Sequence, residues 1–147
     1  MQRDAIRRSL PIILVLLPLL GGGTVYLLWR SPTLLLFQWL RAFHAMPMVT
    51  AVRTAAAAYR PPGWLLYSAP DAAWLTFGML LFAAIWRGTQ HRIKYLWISI
   101  APVAAISAEF GQRVGIVPGR FEWTDVITCV SATGACAFYI FRRRYDR

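Results

Sequence analysis

The sequence predicts an all-α integral membrane protein with four transmembrane helices, both termini on the cytoplasmic side, and an amphipathic external segment between helices 1 and 2. Three observations carry this reading. The 147-residue chain is 58% hydrophobic and 14% aromatic, and its mean hydropathy of +0.48 lies above the balance of a soluble domain. Several stretches stay apolar over a length that crosses about 30 Å of hydrocarbon at about 1.5 Å per residue. The 16 Lys and Arg side chains, against 6 Asp and Glu, are shared unevenly between the segments that join those stretches.

The first span covers about residues 9–29, SLPIILVLLPLLGGGTVYLLW. Arg3, Arg7 and Arg8 precede it, as in a signal peptide. The apolar run exceeds an ordinary signal core, however, and no A-x-A cleavage site follows, so an uncleaved helix is expected. The second span is expected over 71–86, the third over 95–112 and the fourth over 124–141, each ending near an aromatic or basic residue suited to the membrane interface. The whole of 1–147 is expected to form one membrane domain.

Orientation follows from the basic residues. With the N-terminus inside, the cytoplasmic segments carry Arg3, Arg7, Arg8, Arg87, Arg92, Lys94, Arg142, Arg143, Arg144 and Arg147, ten of the sixteen. Arg30, Arg41, Arg53, Arg60, Arg113 and Arg120 fall outside, partly balanced there by Asp71, Glu109, Glu122 and Asp125. All the inside segments are short, the condition under which positive residues set topology. The net charge of +10 then reads as orientation and contact with anionic headgroups rather than nucleic-acid binding. No zinc spacing, P-loop or dinucleotide fingerprint is present, so no metal or cofactor is expected.

Residues 33–59 alternate apolar side chains (Leu34, Leu35, Phe37, Trp39, Leu40, Phe43, Met46, Val49) with Gln38, Arg41, His44 and Pro47. An amphipathic helix lying in the outer interface fits this pattern better than a crossing, which would place Gln38, Arg41 and His44 at depth. A short helix ending at Pro61 and Pro62 follows, and a re-entrant hairpin is the alternative. His44 reads as an interfacial polar residue rather than a ligand. In the fourth span, Cys129 and Cys136 lie about 10 Å apart along the axis, too far for a disulfide. With Ser131, Ala132, Gly134 and Ala135 they form a small-residue surface on which another helix can pack closely.

The stretch AEFGQRVGIVPGRFEWTDV, residues 108–126, concentrates charge between two apolar spans. Glu109 and Gln112, three apart, share a helix face near the outer end of the third span. Asp125 is expected in the first turn of the fourth span, where the helix dipole favours a carboxylate, and Asp71 likewise at the start of the second. Pro118 and Gly119 suit a sharp reversal that carries Arg120 back over the helix ends. Asp71, Glu109, Gln112, Arg120 and Asp125 are therefore the expected ligand-binding cluster. The plainer readings are a surface pair of Glu109 with Arg113, aspartates that serve only as helix-end residues, and an Arg120 that anchors at headgroups.

The run EFGQ at 109–112 followed by PGRFEWTD at 118–125 resembles the VanZ-like family of small polytopic bacterial membrane proteins. That family couples a Glu and Gln on one helix to a Pro-x-Arg turn and an Asp opening the next. The resemblance covers about residues 71–141. It departs where the family often places Lys and His after the earlier Asp, here Ala72 and Leu75, and Asn and Gly after the last, here Cys129 and Ala132. It implies a bacterial inner-membrane protein with a role in envelope maintenance or the response to glycopeptides, and it assigns no reaction. The resulting expectation is a protein whose outward cluster binds an envelope lipid or lipid-linked saccharide. The alternative is a non-enzymatic accessory subunit of a larger membrane protein complex.

Overall fold

The computed structural model describes residues 2–86 and 91–145, with the side chains of 12–86 and 91–142. The side chains of Arg3, Arg7, Arg8, Arg87, Arg143, Arg144 and Arg147, on which much of the orientation argument rests, lie outside the described ones. Six helices follow one another among the described residues: α1 (Gln2–Trp29), α2 (Leu35–Ala42), α3 (Met46–Ala56), α4 (Gly63–Ile85), α5 (Ile93–Arg113) and α6 (Trp123–Tyr145). No strand occurs among the described residues. Four helices, through Ile12–Trp29, Gly63–Ile85, Ile93–Arg113 and Trp123–Arg142, are long and apolar enough to cross a membrane. That is the composition of a multi-pass membrane protein.

Helix α4 is the hub, since α1, α5 and α6 all pack on it, whereas α1 touches neither α5 nor α6 among the described residues. Between helices in lipid there is no hydrophobic drive to associate, so close backbone approach matters. At α1–α4 a Cβ on Gly22 would stand 3.0 Å from the Ala73 Cβ and 3.1 Å from the Trp74 ring, and Tyr26 stacks on Trp74 at 5.4 Å. At α4–α5 a Cβ on Gly78 would meet the Ala101 Cβ at 3.0 Å, with Phe82 on Trp97 further along. Against α6, Leu75 and Met79 bury with Cys129 and Cys136. These pairings make α1 and α5 antiparallel to α4, and α6 parallel to it. The N-terminus of α4, the N-terminus of α6 and the C-termini of α1 and α5 share one end of the bundle.

The small-residue surface of α6 divides in two. Cys129, Ala132 and Cys136 face inward on the α4 core as free thiols and a methyl group, while Ser131, Gly134 and Ala135 are exposed.

Two boundaries differ from the sequence reading. Helix α4 begins at Gly63, eight residues before the expected start, with the extended Pro62 as its N-cap and Pro70 buried inside it. The Pro61-Pro62 pair supplies the break, and Pro70 is accommodated because a proline inside a spanning helix removes one hydrogen bond that its surroundings can compensate. Asp71 is consequently the ninth residue of α4, about 12 Å along the axis, and not a first-turn residue. Residues 33–59 form two short helices, but the break falls at His44, inside the expected amphipathic helix, where a φ of 55° is left-handed. Pro47 sits in the first turn of α3, where its missing N–H costs nothing.

Arg53 of α3 holds this segment to the bundle. It donates to the Leu27 carbonyl at 2.6 Å and the Arg30 carbonyl at 2.9 Å, groups that the end of α1 leaves without intrahelical donors. Its guanidinium also lies 5.2 Å from the ring of Phe37, a fully buried side chain.

Two expectations follow. Gly22→Val should destabilise the protein by about 1–3 kcal/mol through overpacking at α4, while Gly21→Val, with nothing within 4 Å of its Cβ, should leave thermal unfolding in detergent unchanged. Arg53→Ala should cost about 1.5–3 kcal/mol and expose α2–α3 to limited proteolysis before the rest of the chain unfolds.

Candidate functional site

The polar cluster forms at the shared end of α4, α5 and α6. Asp125, in the first turn of α6, sits where unpaired backbone N–H groups and the helix dipole stabilise a carboxylate. Its Oδ1 accepts a 2.5 Å hydrogen bond from Ser68 Oγ of α4. Ser68 is 2% exposed, so this bond is a polar tie inside the α4–α6 contact. Asp71 lies one turn further along α4, on an adjacent face because residues three apart are neighbours on a helix.

Glu109 of α5 completes the group. It is 7% exposed, the backbone N–H of Glu122 donates to its carboxylate, and its Oε2 is buried without a hydrogen-bond partner. Asp71, Glu109 and Asp125 lie close enough for each charge to act on the others. Cys129, one turn deeper on α6, lies within range of all three. Among the described residues no group of His, Cys, Asp and Glu side chains is arranged to hold a metal ion.

Asp71 itself is exposed, which shows where the cluster opens. On α4, Tyr67 and Trp74 lie on the side of α1, through Arg30 over the Tyr67 ring and Tyr26 on Trp74. Gly78, two turns beyond Asp71 and on nearly the same face, meets α5. Asp71 therefore lies on the face of α4 turned towards α5, close to Glu109. The cluster is thus open to the outside at Asp71.

The basic residue whose charge reaches Asp71 is Arg30. Its guanidinium lies 5.5 Å from the Tyr26 ring and 5.0 Å from the Tyr67 ring. It also lines a cleft of about 270 Å³ with Trp29, Ser31, Leu34, Leu66 and Tyr67. Since Tyr67 precedes Asp71 by one helical turn, cleft and carboxylates adjoin.

Of the five residues expected at the site, Asp71, Glu109 and Asp125 come together. Gln112 lies instead against the α5–α6 turn, where a Cβ on Gly119 would stand 2.7 Å from its Cδ; the φ of 142° at Gly119 is a second reason for glycine there. Arg120 is exposed in that turn. Arg113 does not pair with Glu109, and its guanidinium lies 5.1 Å from the Phe121 ring and 5.7 Å from the Trp123 ring. Sequence reasoning missed Ser68 and Arg30. A helix start set by Pro61-Pro62 would have put Ser68 one turn before Asp71, whereas nothing local pairs Arg30 with Asp71.

Ser68→Ala should lower stability by about 1.5–3 kcal/mol, the worth of a hydrogen bond to a charged group, and Ser68→Thr, which retains the hydroxyl, should recover most of it in the same thermal unfolding assay. The chain matches no family model, no curated protein and no solved structure, so the VanZ-like resemblance rests on the quoted residues alone.

Proposed function

We propose that this is a VanZ-like protein of the bacterial inner membrane whose carboxylate cluster, at the outer end of its helices, binds the polar head of an envelope lipid or lipid-linked saccharide. The observation that carries the reading is Glu109, a carboxylate inside a spanning helix with a buried oxygen that no protein group satisfies. Ionisable groups at membrane depth are costly and tend to serve function. A buried acceptor left open is compensated when a ligand donor fills it.

The exposure of Asp71 supports a ligand that reaches the cluster from outside the bundle. With both termini inside, as the basic residues favour, the cluster faces the outer leaflet and α2–α3 lie in its interface. Phe43 and Met48, 80% and 73% exposed, would sit among headgroups and acyl chains there, with Arg120 at headgroup level. A second reading is favoured by the exposed Ser131, Gly134 and Ala135 of α6, a surface suited to close helix docking: the chain is then an accessory subunit of a larger membrane complex.

Native mass spectrometry of protein released from nanodiscs made with total envelope lipid separates the two. Wild type should retain a lipid mass that Glu109→Gln loses while remaining folded. Equal retention by both proteins would overturn the site assignment, and a stoichiometric protein partner held by both would establish the subunit reading instead.

A further inference from the structure

The chemistry of the cluster restricts which headgroup it can take. Asp71, Glu109 and Asp125 act on one another, and the guanidinium that reaches them, Arg30, acts on Asp71. With the carboxylates ionised, the cluster carries more negative than positive charge, in surroundings where charge is weakly screened. A ligand group that enters beside the open Glu109 oxygen must donate hydrogen bonds and is favoured by carrying positive charge. An anionic group would be repelled there. A primary ammonium has three donors and one positive charge, matching carboxylates contributed by three helices.

A quaternary ammonium does not match, because it has no N–H to give and calls for open aromatic faces. The nearby faces of Tyr26 and Tyr67 are already occupied by Arg30. Beside the carboxylates, at the cleft lined by Arg30, Ser31 and Tyr67, the demand reverses. Arg30 presents a planar set of donors suited to a phosphate.

We infer that the site binds a phosphate ester carrying a primary amine, with the ammonium between Asp71 and Glu109 and the phosphate at Arg30, and that an aminoalkyl phospholipid supplies it, reaching the cluster at the exposed Asp71. This rests on the headgroup-binding function proposed above and adds the class of headgroup.

The test is a lipid titration followed by native mass spectrometry in mild detergent, with phosphatidylethanolamine, phosphatidylcholine and phosphatidylglycerol of identical acyl chains. Phosphatidylethanolamine should bind about tenfold or more tightly than either competitor, the factor expected from charged hydrogen bonds that the others cannot make. Asp71→Asn and Glu109→Gln should each erase that preference. Arg30→Gln should weaken phosphatidylethanolamine and phosphatidylglycerol alike, and Arg92→Gln, at the opposite end of the bundle, should change nothing.

Soluble O-phosphoethanolamine distinguishes the two sources of this chemistry. Displacement of the lipid at comparable concentration would mean that the headgroup alone is read, and no displacement would mean that the acyl chains are required; both agree with an amine-phosphate site. Binding of phosphatidylglycerol or phosphatidylcholine as tight as that of phosphatidylethanolamine would overturn the inference while leaving headgroup binding intact. The absence of any bound lipid would overturn both.

Discussion

Helices α1, α5 and α6 are assembled by one shared partner, α4, and this determines both the shape of the molecule and the place of its site. Apolar side chains gain little by leaving lipid for one another, so the contacts that hold such a bundle are those that need close approach or polar pairing. Gly22 against Ala73 and Gly78 against Ala101 provide the first kind. The Ser68 to Asp125 hydrogen bond provides the second, joining α4 to α6. The α4 face that packs on α5 through Gly78 also carries Asp71, so the packing that stabilises the bundle brings Asp71 close to Glu109 of α5.

Carboxylates in this setting need compensation, and each finds a different kind. Asp125 combines a helix N-terminus with the Ser68 hydroxyl. Asp71 remains exposed and feels the charge of Arg30. Glu109 has the Glu122 backbone N–H at its carboxylate, yet one of its oxygens stays unpaired. The inventory is thus uneven, and the residue most deeply buried is the one least satisfied. Stability alone does not call for that arrangement, since a glutamine or an apolar side chain at 109 would bury at lower cost.

The α2–α3 segment is bound to this assembly through Arg53, which reaches the carbonyls of Leu27 and Arg30 at the end of α1. The same Arg30 extends its side chain towards Asp71 and lines the cleft beside it. One guanidinium thus fixes the end of α1, and the other lines the cleft and acts on Asp71.

The sequence by itself determined the all-helical class, the four apolar spans, and the position of Glu109 and Asp125 at two helix ends joined by a turn. Each of these is encoded locally, in a run of apolar residues long enough for a bilayer or in turn residues between two helix ends. Only the tertiary structure decided that α4 starts at Gly63, that Asp71 therefore lies more than two turns inside it, and that Ser68 and Arg30 belong to the site while Gln112 packs against the turn. Proline is ambiguous at the local level. Pro70 can end a helix or sit within one, and what decides is whether neighbouring helices compensate the lost hydrogen bond. Arg30 and Asp71 are distant in sequence and are brought together by the antiparallel packing of α1 on α4 through Gly22, a close approach between helices that the pattern of either helix alone does not reveal.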